Sequence, residues 1–211
     1  PVHYQRDGKW MDIDNTLTAQ SAVSDEDFSG QITTDGPFKV KFANNVNSSK
    51  LVRIDKDGYR LSWAYQSATK RNANGNVKAK VVTNDAALDA VSDTSSTITY
   101  DYIEENSSLQ YEVNPTGVKE NIIVHSAADT YTYTFEFKTK GVSLNQCEDG
   151  SVEAIANDTN QAVFIIPKPF MTDAEGRYSE DVSYTLSSVK NNKATLTVTA
   201  DPTWINAAET E

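Results

Sequence analysis

The chain has 211 residues, 38% of them hydrophobic and 23% charged, with ten Tyr and seven Phe; that length suffices for one large sandwich or two small domains, and the aromatic content excludes a disordered chain. Thirty acidic residues against 19 basic ones give a formal charge of -11, which argues against a nucleic-acid partner and an anionic membrane surface, because no cationic excess is present to displace phosphate counterions. The single cysteine, Cys147, excludes an intrachain disulfide, and no apolar run is long enough to span a membrane.

In chain order, Pro1-Val2-His3-Tyr4-Gln5 carries no signal-peptide features and reads as the start of a piece excised from a longer polypeptide. Val2–Gln5 and Lys9–Ile13 flank Arg6-Asp7-Gly8 and predict a first hairpin. Asp25-Glu26-Asp27 reads as a solvated loop. Phe38–Phe42 alternates Phe, Val and Phe with Lys39 and Lys41, a half-buried strand. Leu51–Ile54 and Tyr59–Tyr65 form a second hairpin around Asp55-Lys56-Asp57-Gly58, with Tyr59, Leu61 and Trp63 on one face. Residues 66–95 are a polar excursion, holding a short strand at Val77–Val81 and a helical turn at Asp85–Val91. A domain boundary near residues 92–96 is compatible with this pattern, as is one module over 1–211.

The second half is cleaner. Thr97–Tyr102, Ser108–Val113 and Val118–Val124 read as successive strands, the last two joined by Asn114-Pro115-Thr116-Gly117. Tyr131–Lys138 gives the strongest period-two signal, with Tyr131, Tyr133, Phe135 and Phe137 alternating with Thr132, Thr134, Glu136 and Lys138. Ser151–Ala156 pairs with Ala162–Pro167, and Val182–Val189 with Lys193–Ala200. No segment sustains a helical period. The fold class is all-β, as a large antiparallel sandwich in preference to a barrel, with two packed subdomains as the alternative.

Catalytic signatures are scarce. The histidines are His3 and His125, both read as surface or edge residues, and no nucleophile elbow, zinc-binding helix or phosphate loop is present. Glu104-Glu105, Asp173, Glu175 and Glu180-Asp181 supply carboxylates for a glycosidase pair, but any chain this acidic would. Asp55-Lys56-Asp57-Gly58 and Asp173-Ala174-Glu175-Gly176 suit Ca²⁺ in ligand type, yet neither completes an EF-hand loop and both fit β-turns better. Trp10, Trp63 and Trp204 raise a carbohydrate platform; Trp63, beside Tyr59 and Leu61, fits the core instead. Cys147, next to a turn, reads as a small half-buried residue. The residues therefore assign no catalytic, cofactor or metal site. A Lys–Asn isopeptide crosslink is left open.

The run Tyr4-Gln5-Arg6-Asp7-Gly8-Lys9-Trp10-Met11-Asp12-Ile13-Asp14-Asn15-Thr16-Leu17 resembles the opening of a β-rich module in large Gram-positive (Firmicutes) wall-associated, RHS (YD-repeat) and DNRLRE-containing surface proteins. Leu109–Val113, Val118–Val124, Phe135–Gly141 and Ile166–Ala174 are similar to the same module, in the same order. The resemblance implies a secreted module at the cell surface or in the cell wall. It implies a non-enzymatic part in display, adhesion or toxin-delivery stalks, contacts to adjacent domains of the parent protein, and no membrane insertion. The alternative it raises is a dedicated binder of a host protein such as immunoglobulin, reached through a sheet edge or an apolar patch.

Overall fold

The computed structural model describes residues 3–20, 30–66, 79–83 and 96–208. The Asp25-Glu26-Asp27 loop, the helical turn at Asp85–Val91 and most of the 66–95 excursion lie outside them. Within them the chain forms β1 (His3–Arg6), β2 (Lys9–Asp12), β3 (Asp14–Gln20), β4 (Gly30–Asp35), β5 (Lys39–Ala43), β6 (Val52–Lys56) and β7 (Tyr59–Gln66). There follow β8 (Lys80–Thr83), β9 (Ser96–Glu104), β10 (Ser107–Asn114), β11 (Gly117–Val124), β12 (Tyr131–Lys140) and β13 (Val142–Gln146). The last elements are β14 (Val152–Ala156), β15 (Ala162–Ile166), β16 (Met171–Thr172), β17 (Tyr178–Ser179), β18 (Val182–Lys190), β19 (Lys193–Ala200) and α1 (Pro202–Ala208).

The hairpins form where turn chemistry allows a left-handed backbone. Asp7-Gly8 (φ 51° and 76°), Asp57-Gly58 (52° and 86°) and Asn191-Asn192 (53° and 60°) are two-residue connections, and paired positive φ values match the twist of the flanking strands. Between β10 and β11 the side chain of Asn114 does this work. Its Oδ1 accepts the N–H groups of Thr116 and Gly117, each at 3.0 Å.

All pairing is antiparallel. Eight strands form one large sheet in the order β18-β19-β12-β7-β6-β5-β4-β3, four form a second in the order β11-β10-β9-β8, and β13-β14-β15 form a third. The all-β sandwich expected from the alternation is what the chain adopts. Phe42, Val52, Leu61, Trp63, Phe135 and Phe137 from the large sheet pack with Tyr100, Leu109, Tyr111 and Val113 from the four-stranded sheet, and Val142 and Val152 from the third join the same core. Buried residues on both sides of 92–96 share it.

Of the strand placed at Val77–Val81, Val77 and Lys78 lie outside the described residues, and Lys80 and Val81 belong to β8. One local feature departed from expectation. Helix α1 was not anticipated, although Asp201-Pro202 signals it: Asp201 Oδ1 accepts the Thr203 N–H at 2.7 Å, and proline suits the first helical position. On the outer edge of the large sheet, the Gln146 amide donates to the Tyr184 carbonyl (2.8 Å) and accepts from the Leu186 N–H (3.0 Å). One side chain thus stands in for a neighbouring strand and blunts an edge otherwise open to pairing.

Candidate polyanion-binding face

Directly opposed residues in an antiparallel sheet project to the same side, so the register shows what each face of the large sheet carries. Phe42 opposes Val52, Val52 opposes Trp63, and Trp63 opposes Phe137; this is the core face. On the other face Lys41 opposes Arg53, Arg53 opposes Ser62, Ser62 opposes Lys138, Lys138 opposes Lys193, and Lys193 opposes Lys190. One cross-strand row over six strands therefore holds five cations. The adjoining row runs Lys39, Asp55, Arg60, Lys140. A third begins at Ala64, Glu136, Thr195 and Ser187. Over these six strands the face carries eight of the 19 basic residues but, among the acidic ones, only Asp55 and Glu136.

The internal pairing of this face leaves most of its lysines unsatisfied. Asp55 accepts from Arg53 Nε (2.6 Å) and Nη2 (3.0 Å) and from Arg60 Nε (2.7 Å). One carboxylate thus fixes two guanidinium groups, and the bidentate geometry holds Arg53, only 5% exposed, in place. Lys138 lies 3.5 Å from Glu136. Lys39, Lys140, Lys190 and Lys193 are exposed and have no acidic partner among the described residues. Like charges set directly across strands destabilise a sheet. Lys138, Lys193 and Lys190 in one row therefore oppose folding stability.

Two further polar clusters stand out. Glu120 opposes Tyr111, and so projects toward the core from edge strand β11, between the apolar Val118 and Ile122. It keeps solvent contact, yet the protein atoms crowding its carboxyl push its pKa up to about 7, against the opposing influence of hydrogen bonding from Tyr111 and Trp63. The Tyr111 hydroxyl accepts the Trp63 indole N–H at 3.2 Å. The Tyr184 phenol is also raised, first by burial and then by the nearby Glu120 charge.

The second cluster grows out of a bulge. Between β9 and β10 the register slips opposite Ser108, and Tyr102 takes φ 51°. The Tyr102 N–H released by the bulge donates to Ser108 Oγ at 2.9 Å, and Ser108 Oγ shares a 2.7 Å hydrogen bond with His125 Nε2. The Tyr102 ring, 58% exposed, covers the imidazole at a centroid distance of 4.8 Å. A serine–histidine pair that the sequence left to chance is thus built by a bulge, with Ser108 itself buried.

Four of the carboxylates considered from sequence have hydrogen-bond partners of their own. Asp173 accepts from Arg177, Glu180 from Lys168 and Tyr178, Asp181 from Ser179, and Glu104 from Tyr65 at 2.6 Å. Asp55, weighed with Asp57 as a calcium ligand and read in preference as part of a β-turn, is held by the two arginines. No group of three His, Cys, Asp or Glu suited to a metal occurs among the described residues. The tryptophans are dispersed: Trp10 is 73% exposed on β2, Trp63 packs against Tyr111 and Phe137, and Trp204 lies on α1. Cys147 is half-buried beside the turn that its carbonyl closes with Gly150. Every described lysine is at least partly exposed.

Comparison with known proteins changes the functional frame. No family model matches the chain, and no solved structure matches it. The chain is similar, over 99% of its length, to three curated proteins from Bacillus. It is 27% identical over 224 residues to tRNA nuclease WapA of Bacillus subtilis (strain 168) and 27% identical over 224 residues to the tRNA3(Ser)-specific nuclease WapA of Bacillus spizizenii. It is 26% identical over 219 residues to the tRNA(Glu)-specific nuclease WapA of Bacillus subtilis subsp. natto. All three are tRNA nucleases by name. The chain spans 9% of the length of each.

These relatives overturn several expectations from sequence. The likeness runs to nucleases, which corrects the resemblance to a wall-associated, RHS or DNRLRE surface module and the non-enzymatic display and adhesion role built on it. The immunoglobulin alternative and the expected absence of a nucleic-acid partner fall for the same reason, because the matching proteins are named for acting on tRNA. Net charge averages over the whole chain and does not describe any one of its faces.

Proposed function

We propose that this chain is a β-sandwich module of a tRNA nuclease, and that what it contributes is common to nucleases that cleave different tRNAs. The observation that carries this reading is similarity along 99% of the chain, at nearly the same identity, to three tRNA nucleases, two of which are named for different tRNAs. A segment shared alike by enzymes of differing choice is a poor place for that choice, since contacts that read bases must change with the target while contacts to phosphate need not. The cationic face of the large sheet supports the reading from geometry, because it gives an acidic protein one surface suited to a polyanion. In this reading residues 1–211 act as one module, supported by the core shared across 92–96.

The test is an exchange. The matching segment of the tRNA(Glu)-specific relative is replaced by this chain, and cleavage of total tRNA is mapped by sequencing the ends. The expected result is retained cleavage of the recipient's own tRNA. A folded chimera that cleaves a different tRNA, or none, contradicts the reading.

A further inference from the structure

We propose that the outer face of the large sheet grips the sugar–phosphate backbone of RNA, independent of base sequence, through its two cationic rows. This rests on the nuclease reading and names the part of the substrate that the module touches.

The first argument is shape. Strands lie about 4.8 Å apart, so the row from Lys41 to Lys190 extends about 24 Å across six strands, and the next row lies about 6.6 Å from it. Arg53 and Ser62 in the middle of the first row are buried, so the fully exposed cations are Lys190 and Lys193 at one end of it and Lys39 and Lys140 in the second. A small anion needs donors converging on one point, and the one convergent pair, Arg53 and Arg60, is already closed on Asp55. The remaining lysines are spaced along a line, which suits a polymer carrying one charge per repeat.

The second argument is cost. Lys138, Lys193 and Lys190 repel one another across β12, β19 and β18, and the Asn191-Asn192 turn holds the last two in register. A neutral surface would fold better, and a bound polyanion removes the repulsion.

The third argument is what surrounds the rows. Thr134, Thr195, Thr197, Thr185 and Ser187 continue the same face beyond the lysines. They form no side-chain hydrogen bonds among the described residues, and hydroxyls of this kind can donate to phosphate and ribose oxygens. None of the large exposed apolar residues, from Trp10 to Val189, belongs to the rows. The face therefore lacks the inserting groups of a membrane-surface element.

The experiment uses the full chain with two labelled tRNAs of unrelated sequence, and with vesicles containing anionic phospholipid. The intact chain should bind both tRNAs within threefold of each other. The variant K39Q/K140Q/K190Q/K193Q should lose at least tenfold, while K9Q/K80Q/K119Q/K168Q, which changes net charge equally on other elements, should lose less than threefold. Circular dichroism and thermal midpoints establish that both variants fold. Equal losses in the two variants, binding to vesicles without binding to tRNA, or no binding to tRNA by the intact chain would each overturn the proposal. A failure here with the segment exchange still neutral removes the grip and leaves the nuclease reading; a failed exchange with binding intact does the reverse.

Discussion

The two faces of the eight-stranded sheet are written into the same residues, one position out of step. On β12, Tyr131, Tyr133, Phe135 and Phe137 enter the core, while Thr132, Thr134, Glu136, Lys138 and Lys140 look outward. The inner face is aromatic and closed, with Trp63 stacked on Phe137 at 5.4 Å and Phe42 packed on Tyr111 at 5.5 Å. The outer face is cationic and hydroxylated, and its opposed lysines work against folding. Strand alternation lets one face answer to stability and the other to binding, so substitutions on the two faces should separate those properties.

The largest effect belongs to the inner face. Phe42→Ala removes a fully buried ring and should cost about 3–5 kcal/mol in urea unfolding; a loss under 1 kcal/mol would show that the two sheets do not share the core described. Tyr111→Phe keeps the ring but removes the hydroxyl that bonds to Trp63 and Glu120, leaving Glu120 as the indole's remaining partner. We expect a loss of about 0.5–1.5 kcal/mol.

Glu120 sharpens the comparison through pH. Its folded-state pKa, raised to about 7 from an ordinary 4.5, means that the folded protein holds the extra proton between those values. Stability should therefore fall as pH rises from about 4.5 to about 7 and level off above. Because the carboxyl keeps solvent contact, the contribution is discounted to the order of 1 kcal/mol. In Glu120→Gln that part of the slope should vanish; an unchanged pH profile would show that the carboxyl is not desolvated.

The smallest effect has the opposite sign. Lys193→Thr relieves repulsion from Lys138 and Lys190 and should raise stability by a few tenths of a kcal/mol, while weakening RNA binding. A destabilised variant would mean that the lysine contributes packing rather than charge.

Much of the fold was legible in the sequence. Asp7-Gly8, Asp57-Gly58 and the alternation of Tyr131–Lys138 each formed the element they predict. Local turn chemistry and side-chain period are properties of adjacent residues, so they can be read along the chain. The cationic face is different in kind. Lys41, Arg53, Lys138, Lys190 and Lys193 are far apart in sequence and meet only through strand order and register, neither of which alternation determines. The Ser108–His125 pair depends on a bulge that the sequence does not announce. Glu120 did leave a mark, as the one charge interrupting Val118, Ile122 and Val124 on a period-two face.

The account stands on whether this acidic chain holds RNA by charge on one face, and the salt dependence of binding tests that most directly. For two unrelated tRNAs titrated from about 50 to 200 mM salt, log K against log salt should fall along parallel lines whose slope magnitude drops by roughly 0.7–0.9 for each outer-face lysine removed. A flat line, or slopes that differ between the two tRNAs and ignore the lysines, would contradict it.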